Sequence, residues 1–300
     1  RQDAGRGHSV SRADRGGHLP RDIQGSAFLI STLVVATWRL GRIGAIVWSL
    51  SLILYVAVVV GIYPSVGTTP ELQAYYKVMP DEIMAILGVT DMTELFEGGV
   101  LSLEGWMATE YFFLWPILMA VYALTVGTGL LSREHERGTM DLLLSQPIRR
   151  RHLLLSKLIA YVTIFAGLSL LSGVTIIIGG IMIGVDLHLI RIVQVHLIGF
   201  LFAVAILSYS TFCSAMFLST SRSLAVAGGA TVLFYLLNLV GRIVDGLGVL
   251  SDLSLFAYFD PMALLSYGSF NTIALLVYIG VAIVFIGASV LIFERRDLCT

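Results

Sequence analysis

The sequence has few charged residues: Asp, Glu, Lys and Arg make up 13% of its 300 residues, whereas hydrophobic residues make up 57%. Soluble globular domains carry about 25% charged residues, so this chain has too little polar surface to cover a globule in water. The excess apolar surface must therefore face lipid. The net charge of -1 carries information only once the charges are assigned to the two sides of a membrane.

Cysteine and the common catalytic patterns are also scarce or missing. Cys213 lies in an apolar run and Cys299 near the end of the sequence, which indicates neither a disulfide framework nor a paired-cysteine metal site. Neither an H-E-x-x-H metal pattern nor a G-x-S-x-G nucleophile elbow occurs. Glu134 and Glu136 are two residues apart, so one helix face cannot present both for acid–base chemistry. We therefore expect no metal site and no catalytic residue.

Two means of driving transport are absent as well. The chain lacks the G-x-x-x-x-G-K-[ST] loop that cradles nucleotide phosphates, so we expect it neither to hydrolyse ATP by itself nor to bind a cofactor. Proton- and sodium-coupled carriers usually contain carboxylates within their spans, and these apolar runs contain almost no ionisable group. His196 is the main exception, and a lone histidine near a helix end is more typical of an interfacial hydrogen bond than of a relay. The driving energy should therefore come from another protein.

Six runs are long and apolar enough to cross a bilayer, which takes about 20 such residues. We predict an all-α integral membrane protein with one six-span domain over residues 23–298. Residues 24–42 show a weak amphipathic pattern, which fits either a preceding interfacial helix or the start of a long first helix. Residues 1–22 are expected to form a disordered cytoplasmic extension. The predicted spans are 43–63, 111–131, 158–185, 192–218, 224–244 and 272–293.

The distribution of Lys and Arg predicts the orientation. With the N-terminus inside, the outer side holds only Lys77, Arg191 and Arg242, so both ends of the domain are expected in the cytoplasm (N-in, C-in). The outer loop 64–110 is acidic, and the outer segment 245–271 contains no Lys or Arg. Either could form an exit gate, and an ordinary solvated loop is as good an interpretation. The outer segment fits interfacial helices or a re-entrant hairpin equally well.

A short helix is predicted within the first outer loop. Pro80 and the acidic residues Asp81 and Glu82 precede an apolar stretch that ends at Gly88. Proline and acids favour the first turn of a helix, and glycine favours its end.

Residues 133–157 form a long polar block, rich in charges of both signs, between two apolar spans. The block opens with alternating charges, turns at Gly138 and closes on a basic cluster at 149–151. Thr139 is suited to cap a short helix whose first turn contains Asp141, and Pro147 disfavours helical geometry before it. An apolar knob within such a loop is expected to be buried, either against a partner or against the membrane face of its own subunit. The knob consists of Met140, Leu143 and Leu144.

This block and the six-span pattern resemble the permease subunits of ABC transporters of the type-two exporter class. The resemblance covers roughly residues 38–298 and implies a type V ABC exporter-like fold in the plasma membrane. It also implies that the chain forms the translocation path, beside a second copy or a homologous permease, and couples to two copies of a separate ATPase subunit that binds ATP and Mg. The matching residues are Glu134, Glu136, Arg137, Gly138, Thr139, Met140, Asp141, Leu142, Leu143, Leu144, Ser145, Pro147, Ile148, Arg150 and Lys157.

By this resemblance the short helix in the block is the coupling helix, held in a groove of the ATPase. Glu134, Glu136 and Arg137 would tie the knob to the second span. The ATPase-coupling residues would be Glu134, Glu136, Arg137, Gly138, Thr139, Met140, Asp141, Leu143, Leu144 and Pro147.

The cargo is predicted to be amphipathic or hydrophobic, drug- or lipid-like, because the spans are rich in tyrosine and phenylalanine. Membrane lipid is an expected partner and nucleic acid is not. The alternatives are a stand-alone secondary carrier or channel, and a membrane assembly factor or enzyme. Residues predicted to line the path are Tyr209, Phe212, Phe217, Phe234, Tyr235 and Asn238.

Overall fold

The computed structural model describes residues 21–89, 96–97, 100–140, 143, 145, 149–244 and 246–296. The predicted extension falls almost wholly outside these residues. The described chain is helical apart from one antiparallel pair of two-residue strands. In chain order the elements are α1 (Arg21–Val66), α2 (Pro70–Lys77), α3 (Asp81–Leu87), β1 (Phe96–Glu97), β2 (Val100–Leu101), α4 (Leu103–Trp106), a π-helical turn (Met107–Tyr111), α5 (Trp115–Thr128), α6 (Ser132–Glu136), α7 (Arg150–Ile183), α8 (Leu189–Phe217), α9 (Thr220–Ile243), α10 (Gly248–Asp252), a 3-10 turn (Leu255–Tyr258), α11 (Pro261–Leu265) and α12 (Thr272–Arg295).

Five helices are long and apolar enough to cross a membrane: α1 from Ile30 onward, α7, α8, α9 and α12. A sixth span exists if the bent pair Leu103–Tyr111 and Trp115–Thr128 is counted as one, with 42° between its halves. Pro116 lies in the first turn of α5. Proline is favoured in the first turn of a helix, but it has no backbone N–H and clashes with the preceding turn, so it interrupts a helix that would continue through it. Residues 103–110, predicted as outer loop, are therefore part of this broken helix.

The first helix is continuous over 46 residues. At 1.5 Å per residue it is about 69 Å long, more than twice the roughly 30 Å apolar core of a bilayer. The described part of this segment contains no break between an interfacial helix and the first span. Of the two interpretations of residues 24–42, the structure supports the second, in which they are the start of a long first helix.

Helix α8 lies at the centre of the bundle. It packs against α5, α7, α9 and α12, whereas α1 packs mainly along α7. Half of the most apolar stretch of α8 is buried, compared with 11% in α9 and in α12. Since the exposed faces of these outer helices are apolar, the helices suit a lipid environment.

The two ends of the bundle carry different structures. We call the lower end the one formed by α6, the start of α7, the turn between α8 and α9, and the end of α12. The upper end is formed by α2 to α4, the turn between α7 and α8, and residues 246–271. There the short helices pack onto the bundle rather than lying free, because Phe256, Met262 and Leu265 are buried. A hydrogen bond from Tyr63 Oη to the Leu101 carbonyl, 2.8 Å, joins α1 to β2.

Candidate functional site

Glu134 links the segment that follows α5 to α7. Its Oε1 lies 2.8 Å from Nζ of Lys157 on α7, and Lys157 also donates to the Leu130 carbonyl at 3.1 Å. Thr139 Oγ1 donates to the same carboxylate. Lys157 is only 8% exposed, so its charge requires this pairing. Burial would raise the pKa of Glu134, but the hydrogen bonds from Lys157 and Thr139 outweigh it and hold the pKa below its usual value of 4.5.

Glu136 links α6 to the start of α9 in a similar way. Its carboxylate oxygens accept hydrogen bonds from the backbone N–H and the hydroxyl of Thr220, each 2.7 Å long. The first N–H groups of a helix lack partners within the helix, and a carboxylate there also complements the helix dipole. The two bonds from Thr220 lower the pKa of Glu136. The start of α9 is thus fastened to α6, 84 residues earlier in the chain.

A buried serine cluster joins α6 to the end of α8. The backbone N–H groups of Leu131 and Ser132 donate to Ser214 Oγ at 3.1 and 3.0 Å. Ser223 of α9 donates to the Cys213 carbonyl at 3.1 Å. All three serines are fully buried, so these bonds form where water cannot replace them, and removing one leaves an unpaired polar group.

Two arginines complete the lower end. Arg150 at the start of α7 donates to the backbone carbonyls of Phe293 and Arg296. Arg296 in turn donates to the carbonyls of Ala215 and Met216 at the end of α8. Terminal carbonyls of a helix lack partners within the helix and favour nearby positive charge. Helices α5, α7, α8, α9 and α12 are therefore bonded to one another at this end, and we call these contacts the lower-end network.

The remaining predicted coupling residues are placed as follows. Arg137 is exposed, and Gly138 has φ 67°, a backbone conformation that glycine adopts without strain. Met140 is 2% exposed, so this side chain packs within its own subunit rather than facing a partner. Leu143 is half-buried against the core. Asp141, Leu144 and Pro147 lie outside the described residues.

The predicted path residues fall into two groups. Tyr209 donates or accepts a hydrogen bond with Thr231, and its ring contacts Phe234 and Phe285. Phe212 also contacts Phe285. Together with the half-buried Phe217, these side chains pack α8 against neighbouring helices. They do not line the cleft that lies at the upper end of the bundle.

Tyr235 and Asn238 do line a cleft at the upper end of the bundle. Its walls come from α3, the bend before α5, α5 itself, α9 and residues 256–261. The structure therefore brings together two of the six predicted path residues and adds aromatic residues from the broken helix. The upper ends of α5 and α9 both line this cleft, and the lower ends of the same two helices are hydrogen-bonded to α6 through Thr125 and Thr220.

One further polar chain lies inside the bundle. His196 Nδ1 is 2.7 Å from the Ile192 carbonyl, Nε2 is 2.8 Å from Ser172 Oγ, and Ser172 is hydrogen-bonded to Tyr111. The carbonyl requires the Nδ1 atom to carry the proton, so Nε2 accepts from Ser172. These buried groups satisfy one another and join α7 and α8 to the bend before α5.

A family described as ABC-2 family transporter protein matches residues 38–298. The chain belongs to the ABC-2 transporter family. It is thus a multi-pass membrane protein and an ABC transporter permease, which confirms the family predicted from the 133–157 block. Permeases of this ABC-2 family generally work with an ATPase subunit. The comparison with curated proteins gave no match.

Sequence reasoning missed several residues that hold the lower end of this ABC-2 permease together. Lys157 belongs to the resembling block, but no local pattern assigns it to Glu134. Thr220 follows Ser219 at the start of an apolar run, a signal for a helix N-terminus, yet its carboxylate partner is 84 residues away. Ser214 and Arg296 likewise bond to groups far away in the chain, which a single sequence does not reveal.

Proposed function

We propose that this chain is the membrane-spanning subunit of an ATP-driven exporter and is moved by a separate ATPase through its lower end. One observation carries the proposal: α6 is hydrogen-bonded at once to α7, α8 and α9, and its Arg133 donates to the Thr125 carbonyl of α5. A force applied there by a partner would displace several spans together. The family supports an ATPase partner, and two ATPase copies with a second permease are part of the proposal.

The proposed orientation places the lower end in the cytoplasm. Arginines at the lower end include Arg133, Arg137 and Arg222, and the basic cluster 149–151 stands at the start of α7. Basic residues concentrate on the cytoplasmic side of membrane proteins. With the broken helix counted as the second span, the proposed arrangement has six spans and both ends of the domain in the cytoplasm. The proposal also includes a type V-like fold and a location in the plasma membrane.

The coupling would run along α5 and α9. Both helices run between the lower-end network and the upper-end cleft, which they line through Pro116 and Ile117 on α5 and Tyr235 and Asn238 on α9. The 42° bend before Trp115 gives α5 a place at which its tilt can change without moving α4. A displacement at the ATPase side would thereby widen or narrow the cleft, through which an amphipathic cargo would leave.

Transport in inside-out vesicles tests this proposal. Vesicles containing this chain and its ATPase subunit should take up an amphipathic dye such as rhodamine 6G only when ATP is supplied. Glu136→Ala should lower the uptake while the ATPase remains bound, because it releases α9 from α6. Flux of the dye through this chain alone, without ATP or ATPase, would refute the proposal in favour of a stand-alone carrier.

A further inference from the structure

A groove between α7 and α8 opens on the lipid-facing side of the bundle. It has a volume of about 350 Å³, within the range of small-molecule sites, which is about 300–1,000 Å³. We call it the α7–α8 groove, and it is lined between Ala166 and Ile177 on α7 and between Ile192 and Phe200 on α8. Over these stretches the two helices rise about 17 and 12 Å, so the groove is elongated along the bundle.

The rim of the groove is exposed and its floor is buried. Leu170 and Val193 on the rim are 70% and 57% exposed, whereas Gly173 and His196 on the floor are buried. A Cβ atom on Gly173 would lie 3.5 Å from the His196 ring, an ordinary contact, so the glycine gives the groove depth rather than a closer helix approach. Both nitrogens of His196 are already hydrogen-bonded. The ring therefore offers only carbon surface to an occupant.

The hydroxyl of Ser169 is a buried polar group that faces this groove without a partner. Ser169 is 6% exposed and lines the groove. On the same helix Ser172 and Thr175 are hydrogen-bonded, but no hydrogen bond among the described residues involves Ser169. Of the described buried side chains, Trp115 alone has a polar atom that is both unpaired and fully sealed, so the Ser169 oxygen is open to the groove. An unpaired hydroxyl in apolar surroundings is costly, and a ligand acceptor would remove that cost.

The depth of Ser169 in the bundle limits what can reach it. Along α7 it lies about 18 Å above Lys157 and about 21 Å below Ile183, at 1.5 Å per residue, whereas the apolar core of a bilayer is roughly 30 Å thick. Ser169 is thus near the middle of the membrane, where a charged group is expensive. None of the described residues that line the groove is Asp, Glu, Lys or Arg. An occupant must therefore be uncharged and must enter from the lipid.

We propose that the α7–α8 groove binds an elongated, uncharged lipophile dissolved in the membrane, with one hydrogen-bond acceptor held by the Ser169 hydroxyl. Ser169 lies closer to Ala166, at the lower end of the groove, than to Ile177 at its upper end, so the acceptor belongs near one end of the molecule. The apolar remainder packs along Gly173 and the His196 ring. The groove shares no described lining residue with the upper-end cleft, so it is a site separate from the proposed route of the cargo.

Binding of tritiated farnesol to the full chain in phosphatidylcholine nanodiscs tests the proposal, with empty nanodiscs as the blank. Farnesol is an apolar chain with one hydroxyl at its end. Farnesyl phosphate has a charge at that end, and 2,6,10-trimethyldodecane is a similar chain without the hydroxyl. Unlabelled farnesol should compete best. The hydrocarbon should compete roughly fivefold less well, the effect of one neutral hydrogen bond, and the phosphate should compete least because its charge stays at the membrane surface.

Substitution of Ser169 separates the hydrogen bond from the apolar contact. Ser169→Ala should weaken farnesol binding roughly fivefold and leave competition by the hydrocarbon unchanged. Without ligand this variant should unfold at no lower temperature than the wild type, because the hydroxyl has no partner to lose among the described residues.

Filling the groove should abolish farnesol binding. Gly173→Leu extends a side chain into it, and Gly167→Leu is the matched control, since a Cβ atom on Gly167 of the same helix meets nothing within 4 Å and this residue does not line the groove. Val193→Trp fills the groove from an exposed residue of α8, which keeps the test decisive if Gly173→Leu does not fold.

Equal competition by farnesol and the hydrocarbon would overturn the proposal in favour of an ordinary contact with acyl chains. Farnesol binding that survives Val193→Trp would also overturn it, because the binding would then lie elsewhere. So would absence of farnesol binding together with loss of self-association in Gly173→Leu, which would assign the groove to a second copy of the chain. The assay contains no ATPase, so its failure leaves the proposed ATPase coupling intact. Failure of ATP-dependent dye uptake, in turn, leaves the binding result standing.

Discussion

The pair of Glu134 and Lys157 concentrates charge at the point where α5, α6 and α7 meet. Breaking a buried ion pair by removing one partner is costly because the other charge remains desolvated. Glu134 retains 24% side-chain exposure, so solvent screens part of this interaction.

We predict that Glu134→Ala lowers the free energy of unfolding by about 1–3 kcal/mol, less than for a fully buried pair. Lys157→Met in the same chain should recover part of the loss, because it removes the unpaired ammonium. The measurement is thermal unfolding of the purified chain in detergent, with Glu294→Ala as the matched control, since Glu294 is exposed near the same end. Equal unfolding temperatures for Glu134→Ala and Glu294→Ala would show that the pair contributes nothing.

The same residue gives a pH dependence. The pKa values of Glu134 and Glu136 are lowered from 4.5 in the folded chain, so folding favours their ionised forms. The stability that they contribute is complete above about pH 4.5 and is lost as the pH falls through their folded pKa values. Between pH 6 and pH 3.5 the wild-type chain should therefore lose more thermal stability than the Glu134→Gln, Glu136→Gln double variant. Parallel curves for the two proteins would contradict this assignment.

Whether the role of a residue can be predicted from the sequence depends on how far along the chain its contacts lie. A polar role for Glu134 was expected because it stands in a charged cluster directly after a span, but its partner Lys157, 23 residues away on α7, was not predictable. The burial of Met140 was not, since a methionine in a short apolar stretch looks the same whether it faces a partner or its own subunit. The structure assigns Met140 to the subunit core.

At the scale of elements, two glycines set the spacing of α5 and α8. A Cβ atom on Gly127 would lie 2.6 Å from Ser210 Cβ and 3.0 Å from the Leu207 carbonyl, and one on Gly199 would lie 2.4 Å from the Trp115 ring. Small residues permit such close approach of membrane helices. These contacts hold α5 against the central helix at two depths.

Gly127→Ala is predicted to destabilise the chain by about 1–3 kcal/mol, because the added methyl group forces two backbones apart. Gly167→Ala is its matched control: Gly167 also lies inside a long helix, but a Cβ there meets nothing within 4 Å. That change should be neutral or stabilising by up to about 1 kcal/mol, as alanine restricts the unfolded chain. Detergent thermal unfolding of both variants measures the difference, and equal effects would argue against the close packing.

Some elements were predictable because their signals are local. The helix predicted after Pro80 is confirmed as α3, with Gly88 at its end in the left-handed conformation. A bend of the second span is expected from Pro116, and the structure has a 42° bend just before it, but residues 103–110 were predicted as part of the acidic outer loop rather than as a helical part of this span. Residues 103–106 contain a buried carboxylate, Glu104, which accepts from the His188 N–H at 2.7 Å. Such a distant partner gives no signal in the local sequence.

At the scale of the whole molecule, hydropathy predicts the approximate positions of the apolar helices, because a bilayer sets the minimum apolar length that a span needs. It does not predict which helix is central. Helix α8 resembles α9 and α12 in hydropathy, yet half of its most apolar stretch is buried among four neighbouring helices, compared with 11% in α9 and in α12. That distinction depends on tertiary packing, as does the pairing of α5 and α9 at both ends of the bundle.

The most direct test of the account is whether the ATPase subunit binds at the lower end. Leu143→Asp should abolish co-purification of the ATPase and the ATP hydrolysis of the assembled complex, and Arg137→Glu should weaken both. Arg137 is exposed, so reversing its charge tests the contact without disturbing the core. Val78→Asp places the same new carboxylate on a residue 78% exposed at the upper end and should leave assembly and hydrolysis unchanged. Full assembly and hydrolysis with Leu143→Asp and Arg137→Glu in folded protein would contradict the central claim.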